Sequence, residues 1–476
     1  MTRGLIVAAA ASHSGKTTIA TGLIAAFRAR GLSVAAAKCG PDYIDPKFLG
    51  AASGRPAINL DPWAMPPASI YARLARQTEG ADLLIVEGVM GLYDGGAGGI
   101  GSTASLAALT RLPVLLVVGA AGTAQSAAAV AEGCARLADG FAVVGAIANH
   151  VASDRHADLL REGFARTSVP LLGLVRRDPD VALPSRHLGL VQAEEHEDLQ
   201  RKIERVGALV AEGCDLDAIL AAGATTRPSF SHGEKVAAEQ PDEGVRRWRD
   251  ARNGEHRTPS PGHFVTTLSP RERDGARETA LRPLGQRIAV ARDIAFAFSY
   301  PHLLADWRDQ GAELSFFSPL ADQAPAEDCD AVFLPGGYPE LHAGRIAATP
   351  GFHAGMNAAA RRAALIYGEC GGYMVLGKTL TDAEGQTHRM LGLLPLATSF
   401  AARKLHLGYR RLTPLGDLPW SGRLRAHEFH FASIVEEGDG ERLFEAENAD
   451  GAPLGSIGLR RDRIMGSFAH VIDAAP

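Results

Sequence analysis

Two short stretches, one near each end of the chain, carry residue types that can do chemistry. The first, "AASHSGKT" from Ala10 to Thr17, fits G-x-x-x-x-G-K-[ST] at Gly15, Lys16 and Thr17 but has Ala10 in place of the first glycine. Such a loop holds phosphates. Backbone N–H groups at a helix start face the anion, Lys16 neutralises β- and γ-phosphate charge, and the Thr17 hydroxyl can join Mg²⁺. Ser14, Gly15, Lys16, Thr17 and Thr18 are the candidate ATP-binding residues; the plain alternative is a Gly/Ser turn ahead of an ordinary helix. The second stretch, "IYGECGGYMVLG" from Ile366 to Gly377, sets Cys370 among glycines after an apolar run. A lone cysteine is commonly a small buried hydrophobe. Gly368, Gly371 and Gly372 favour a nucleophile instead, because a sharp strand-to-helix turn needs residues that tolerate unusual backbone angles. Such an elbow should expose the thiol, and the positive end of the helix dipole should lower its pKa.

A nucleophile needs a base and a place for developing negative charge. His470 in "MGSFAHVID" follows a strand-like run and is the candidate base, brought close in space rather than in sequence. "DAVFLPGGYPEL" offers Gly336 and Gly337 in a turn after another strand, and the N–H groups of Gly337 and Gly371 are the candidate oxyanion hole. His427 and His430 in "AHEFHFAS" would suit a metal on a helix, but Phe429 and Phe431 alternate as in a strand and no third ligand is evident. Acids that can complete a metal site beside the phosphate loop are Asp42 and Asp45 in "KCGPDYIDP" and Glu87 in "LLIVEGVMGLYDG"; Asp94 has a weaker case. Glu87 directly follows an apolar run, at the carboxyl edge of a sheet where ligands gather.

The elements that must position these groups are legible as apolar runs. "GLIVAAA", "LSVAAAK", "ADLLIVEG", "LPVLLVVG", "FAVVGAIAN" and "VPLLGLV" lack strict polar alternation, as strands buried on both faces of a parallel sheet do. "TTIATGLIAAFRARG" reads as a helix closed by Gly31. An α/β domain is expected over 1–221, and the N-terminal apolar run reads as its first strand rather than a signal peptide. From 222 to 284 Pro228, Pro241, Pro259, Pro261 and Pro270 lie among charged residues, the composition of a linker. A second α/β domain, 285–476, opens at "QRIAVARD" and ends in a more β-like tail.

Length, 476 residues, asks for more than one core. Five scattered cysteines without CxxC spacing point to a reducing cytoplasm and no structural zinc, with Cys39, Cys134, Cys214 and Cys329 read as buried filler. A formal charge of −5 gives no basic footprint for nucleic acid, and no apolar run reaches the ~20 residues that span a bilayer. Small-molecule chemistry remains.

"SGKTT", "KCGPDYIDP", "NLDPWAM", "VEGVMGLYDG" and "LPSRHLGLVQAEEH" together resemble the ATP-binding half of the cobyrinic or hydrogenobyrinic acid a,c-diamide synthases, related to dethiobiotin synthetase. "PGGYPEL", "YGECGGYMVLG" and "GSFAH" resemble the triad-type, or class I, glutamine amidotransferase domain, and "AHEFHFAS" and Ala291 to Leu304 fit its corrinoid-synthase branch. The resemblance implies ATP- and Mg²⁺-dependent activation of corrinoid carboxylates, with nitrogen from L-glutamine. It places Thr17, Asp45 and Glu87 on the metal and implies Cys370 as the thioester-forming nucleophile with His470 as its base. Many triad enzymes carry a Glu two residues beyond that histidine; here Ile472 stands there, so a Cys370–His470 dyad is implied. Relatives have an Asp after the valines of "LLVVGAAGTAQS", where this chain has Gly119. Asp42, Tyr43 and Arg186 are weak substrate candidates, as are Arg403, Arg410 and Arg411, and such domains commonly form homodimers. Hydrogenobyrinic and cobyrinic acids both remain open as substrate, as do cobyric acid synthase and nickel-sirohydrochlorin diamide synthase activities and a non-catalytic P-loop regulator.

Overall fold

The computed structural model describes residues 2–181, 185–186, 189–190, 192–195, 198–225, 280–416 and 418–475. Most of the stretch read as a linker, 226–279, lies outside the described residues. The chain divides into two compact units. One comprises Met1–Trp63, Pro67–Pro184 and His196–Ala276; the other comprises Ala64–Pro66, Ser185–Glu195 and Arg277–Pro476. Among the described residues no helix is long and apolar enough to cross a membrane.

In the first unit the apolar runs form β1 (Arg3–Ala9), β2 (Val34–Cys39), β4 (Leu83–Glu87), β5 (Val114–Gly119), β6 (Val143–Val151) and β7 (Leu171–Arg176), with a short β3 (Ile58–Leu60) added at the edge. The order is β3-β2-β4-β1-β5-β6-β7, and these seven strands are parallel. Every residue of β2 and β4 is buried, which is why those runs show no alternation. Helix α1 (Lys16–Ala29) buries Ile19, Leu23, Ile24 and Phe27 against Leu5, Val7, Ile85 and Val117 of the sheet. Parallel register sets Lys38 of β2 beside Glu87 of β4, and Val7 of β1 on its other side. The carboxyl ends of three neighbouring strands thus meet at the start of α1.

In the second unit a mixed sheet runs β12-β11-β13-β14-β23-β22-β21-β18-β19-β24. β11 (Arg287–Ala291), β12 (Glu313–Phe317), β13 (Ala331–Leu334), β14 (Leu365–Glu369) and β23 (Ile464–Ser467) are parallel. β18 (His406–Pro414), β19 (Leu424–His430), β21 (Glu441–Glu447), β22 (Pro453–Arg461) and β24 (Ala469–Ala474) extend the same sheet antiparallel. "AHEFHFAS" is therefore a strand, and its His427 pairs in register with His470. Only four residues of β24 precede Asp473, all buried, so His470 is carried on covered backbone.

Candidate functional site

The phosphate loop ends at Gly15, whose φ of +85° lies in the left-handed region. A Cβ on Gly15 would stand 2.1 Å from Nδ2 of Asn149, so the position tolerates only glycine. Asn149, at the end of β6, donates from Nδ2 to the Ser14 carbonyl at 3.0 Å and pins the loop. No side chain caps the start of α1, which leaves its first N–H groups to a ligand. Gly119 lies against Ser14, where an added Cβ would make ordinary contacts of 3.4 to 3.6 Å. The departure at this position therefore leaves room beside the phosphate loop.

Behind the loop the structure gathers a charged cluster. Thr17 donates to Glu87 Oε1 at 2.6 Å, and Asp45 Oδ2 lies 3.4 Å from the same hydroxyl. Lys38 Nζ sits 2.9 Å from Asp45 Oδ2 and 3.1 Å from Glu87 Oε1, and donates to the Gly88 carbonyl at 2.9 Å. Lys38 is the residue sequence reading missed. Its signal was a lysine closing an otherwise apolar strand run, just before the acids of "CGPDYID". Burial alone would depress its pKa, but Asp45 and Glu87 override that and hold it above the ordinary lysine range. Burial pushes Glu87 up to about 7 against the pull of Lys38, and pushes Asp42 up to about 6 with Asp45 adding to the rise. Lys16 donates to the Met90 carbonyl, and burial together with the Lys38 charge lowers its pKa.

The remaining candidates here do local work. Asp42 Oδ1 accepts the N–H groups of Ile44 and Asp45 at 2.8 and 2.9 Å, which holds Asp45 in place. Tyr43 is buried, and Asp94 accepts the Gly91 N–H at 3.0 Å. Arg186 lies on the two-residue strand Ser185–Arg186 of the second unit, with its side chain outside the described part.

In the second unit Cys370 stands between β14 and the helix Gly371–Leu376 with φ +47° and ψ −103°, an elbow that a non-glycine residue rarely adopts. Its N–H donates to the Ser467 carbonyl at 2.8 Å. The thiol departs from expectation: Cys370 is 2% exposed. Burial and the Glu340 carboxylate drive its pKa well above the usual thiol range, and the Gly371 N–H opposes them only in part. A six-residue helix cannot offset that desolvation. Two other cysteines also depart, since Cys134 and Cys214 are only half-buried.

Gly336 lies between His470 and Cys370. A Cβ built on it would lie 2.3 Å from Cε1 and 2.9 Å from Nε2 of His470, and 3.3 Å from Cβ of Cys370. The imidazole and the Cys370 side chain therefore border one spot. A Cβ on Gly371 would lie 3.0 Å from the Gly337 nitrogen, so the two candidate oxyanion donors are neighbours. The Gly336 carbonyl accepts the Phe298 N–H at 2.9 Å, which ties the segment Ala291 to Leu304 to this turn. His470 is fully buried, and burial, with His427 and His430 adding to it, pushes its pKa down to about 3.

Near this spot His406, Glu428 and His430 place ligand atoms within 4.8 Å of one another, so His430 has two polar companions in a cluster of three that leaves out His427. The His406 and His430 rings are stacked, 6° from parallel at 4.7 Å, which keeps their lone pairs in separate planes. Glu428 is already paired with Arg410 at 2.6 Å and His430 at 2.8 Å. Arg410, Glu428 and His430 are joined by these contacts, and His406 stacks on His430 beside them. Arg410 is thereby engaged, Arg411 donates twice to the Ala449 carbonyl, and Arg403 is exposed.

Comparison with known proteins agrees with both halves. Residues 5–191 match the CobQ/CobB/MinD/ParA nucleotide binding domain, and residues 287–475 match the CobB/CobQ-like glutamine amidotransferase domain. The chain is similar to proteins named hydrogenobyrinate a,c-diamide synthase from a Sinorhizobium species and from Rhizobium meliloti, each at 49% identity with 99% of both chains covered. A protein of the same name from Mesorhizobium japonicum is 43% identical over 99% of both chains. The chain belongs to the hydrogenobyrinate a,c-diamide synthase family, joining a nucleotide-binding unit to a glutamine amidotransferase unit.

Proposed function

We propose that this protein amidates the a and c side-chain carboxylates of hydrogenobyrinate, using L-glutamine as nitrogen source and ATP as activator, with one glutamine and one ATP consumed per amide. The observation that carries this reading is the shared spot of Cys370 and His470 across Gly336, in a chain that also carries the Lys16–Thr17 phosphate loop. The names of the relatives favour the metal-free substrate over cobyrinate.

At the glutaminase site, His470 takes the Cys370 proton as sulfur attacks the glutamine side-chain carbonyl. The oxyanion is received by the N–H groups of Gly337 and Gly371. His470 then returns the proton to the leaving nitrogen, ammonia departs, and water cleaves the γ-glutamyl thioester to glutamate. At the other site a substrate carboxylate attacks the γ-phosphorus of ATP, giving an acyl phosphate and ADP. Ammonia displaces phosphate from that carbonyl and forms the amide. Lys16 and the N–H groups at the start of α1 hold the phosphates while charge moves. Thr17, Asp45 and Glu87 aim oxygens at one place, and Glu87 Oε2 is buried without a hydrogen-bond partner among the described residues. That donor set fits Mg²⁺, which supplies charge neutralisation for phosphoryl transfer when bound. Lys38 holds the two carboxylates together.

The test offers hydrogenobyrinate and cobyrinate in parallel with ATP, Mg²⁺ and glutamine and counts added amides by mass spectrometry. Two amides on hydrogenobyrinate are expected. No amide on either acid, or a preference for cobyrinate, would contradict the proposal.

A further inference from the structure

We propose that Glu369, the residue directly before the nucleophile, is the acid that positions His470, in place of the acid that triad enzymes carry two residues beyond the histidine. The proposal rests on the Cys370–His470 glutaminase reading and extends it to a third group.

Ile472, which stands where that acid is otherwise found, is fully buried and apolar. Glu369 closes β14, in register with Ser467 of β23, and its side chain is 2% exposed. Oε2 lies 3.7 Å from Nδ1 of His470, the ring nitrogen other than the Nε2 that borders Gly336. Oε1 accepts the Val471 N–H at 3.0 Å. The carboxylate is thus anchored by the backbone of the residue after the base and directed at the base itself. A separation of 3.7 Å is beyond a hydrogen bond, and apo catalytic contacts commonly tighten in the reacting complex.

The chemistry needs such a group. Moving the thiol proton to Nε2 creates an imidazolium on a fully buried ring, and a carboxylate at Nδ1 stabilises that cation and keeps the proton on Nδ1 in the neutral ring. Burial opposes a lone charge on either partner, pushing His470 down to about 3 and Glu369 up to about 8. Charging both together offsets much of that cost. Other titratable groups around the three are Tyr367 beside Glu369, His427, His430 and Glu428 about His470, and Glu340 and Glu428 about Cys370. Glu369 lies within ion-pair distance of Nδ1.

The experiment compares glutamine hydrolysis by the full chain, Glu369→Gln and Glu369→Asp, with Cys370→Ala as control. Glutamine is isosteric and keeps the acceptor for Val471, but its amide would donate to Nδ1, forcing the proton onto Nε2 and removing the base. We expect Glu369→Gln to lose at least tenfold in kcat with little change in KM, and Glu369→Asp to retain more activity than Glu369→Gln. A loss under tenfold, a loss confined to KM, or an aspartate variant worse than the glutamine variant overturns the proposal. Should Glu369→Gln not fold, ¹⁵N-imidazole NMR of the wild-type chain decides: a proton on Nδ1 of His470 is expected, and one on Nε2 overturns it. Hydrolysis surviving in Cys370→Ala would instead refute the underlying glutaminase reading, whatever Glu369 does.

Discussion

A side chain at Gly336 would run into His470: its Cβ would stand 2.3 Å from the ring carbon Cε1 and 3.3 Å from Cβ of Cys370. The glycine is the spacer that lets the imidazole and the Cys370 side chain share one place. Gly336→Ala should therefore displace the imidazole and lower glutaminase kcat ~100-fold or more, as loss of a single triad partner does. Overpacking of this kind also costs about 1–3 kcal/mol. Glutamate release and urea unfolding measure the two effects separately.

Lys38 holds two buried carboxylates together. Lys38→Met leaves Asp45 and Glu87 facing each other without their cation, and an uncompensated buried charge costs about 3–5 kcal/mol. The double variant Lys38→Met, Glu87→Gln should regain part of that loss, because one of the two like charges is gone. Urea unfolding midpoints for the single and double variants check this. Nucleotide turnover should fall in both, since Thr17 loses the geometry that Glu87 and Asp45 give it.

The low pKa of His470 has a sign that can be tested. The unprotonated ring is the proposed base, so His470 itself should add no acid limb to glutaminase kcat/KM near 6.5. Stability carries the same direction. The native imidazole stays neutral while the unfolded one takes a proton below about 6.5, so its contribution is full above that pH and is lost as pH falls toward 3. Glu369, raised to about 8, contributes in the opposite direction, with stability full below the ordinary carboxylate range and lost as pH rises through about 8. That opposing contribution is common to wild type and a His470→Gln variant. Between pH 7 and pH 5 the variant should lose less urea stability than wild type.

Much of this arrangement was legible in the residues. Strands buried on both faces gave continuous apolar runs, and Gly15, Lys16 and Cys370 announced themselves through local backbone demands. β3 was not legible because three residues are too few to show a period. Lys38 closes an apolar strand run, and only parallel register reveals that it lies beside Glu87. Glu369 is not legible as a neighbour of His470, because only the folding of β14 against distant strands brings the two side chains together. Burial of the thiol could not be read from "GECGG", since the Ser467 and Phe429 backbones that cover it come from distant strands.

The central claim is that nitrogen liberated at Cys370 enters an amide made at the phosphate loop. Cys370→Ala, supplied with ATP, Mg²⁺ and hydrogenobyrinate, tests it most directly when glutamine and ammonia are compared as nitrogen sources and product amides are counted by mass spectrometry. The account predicts no amide from glutamine and two from ammonia. Amide formation from glutamine in that variant would contradict it.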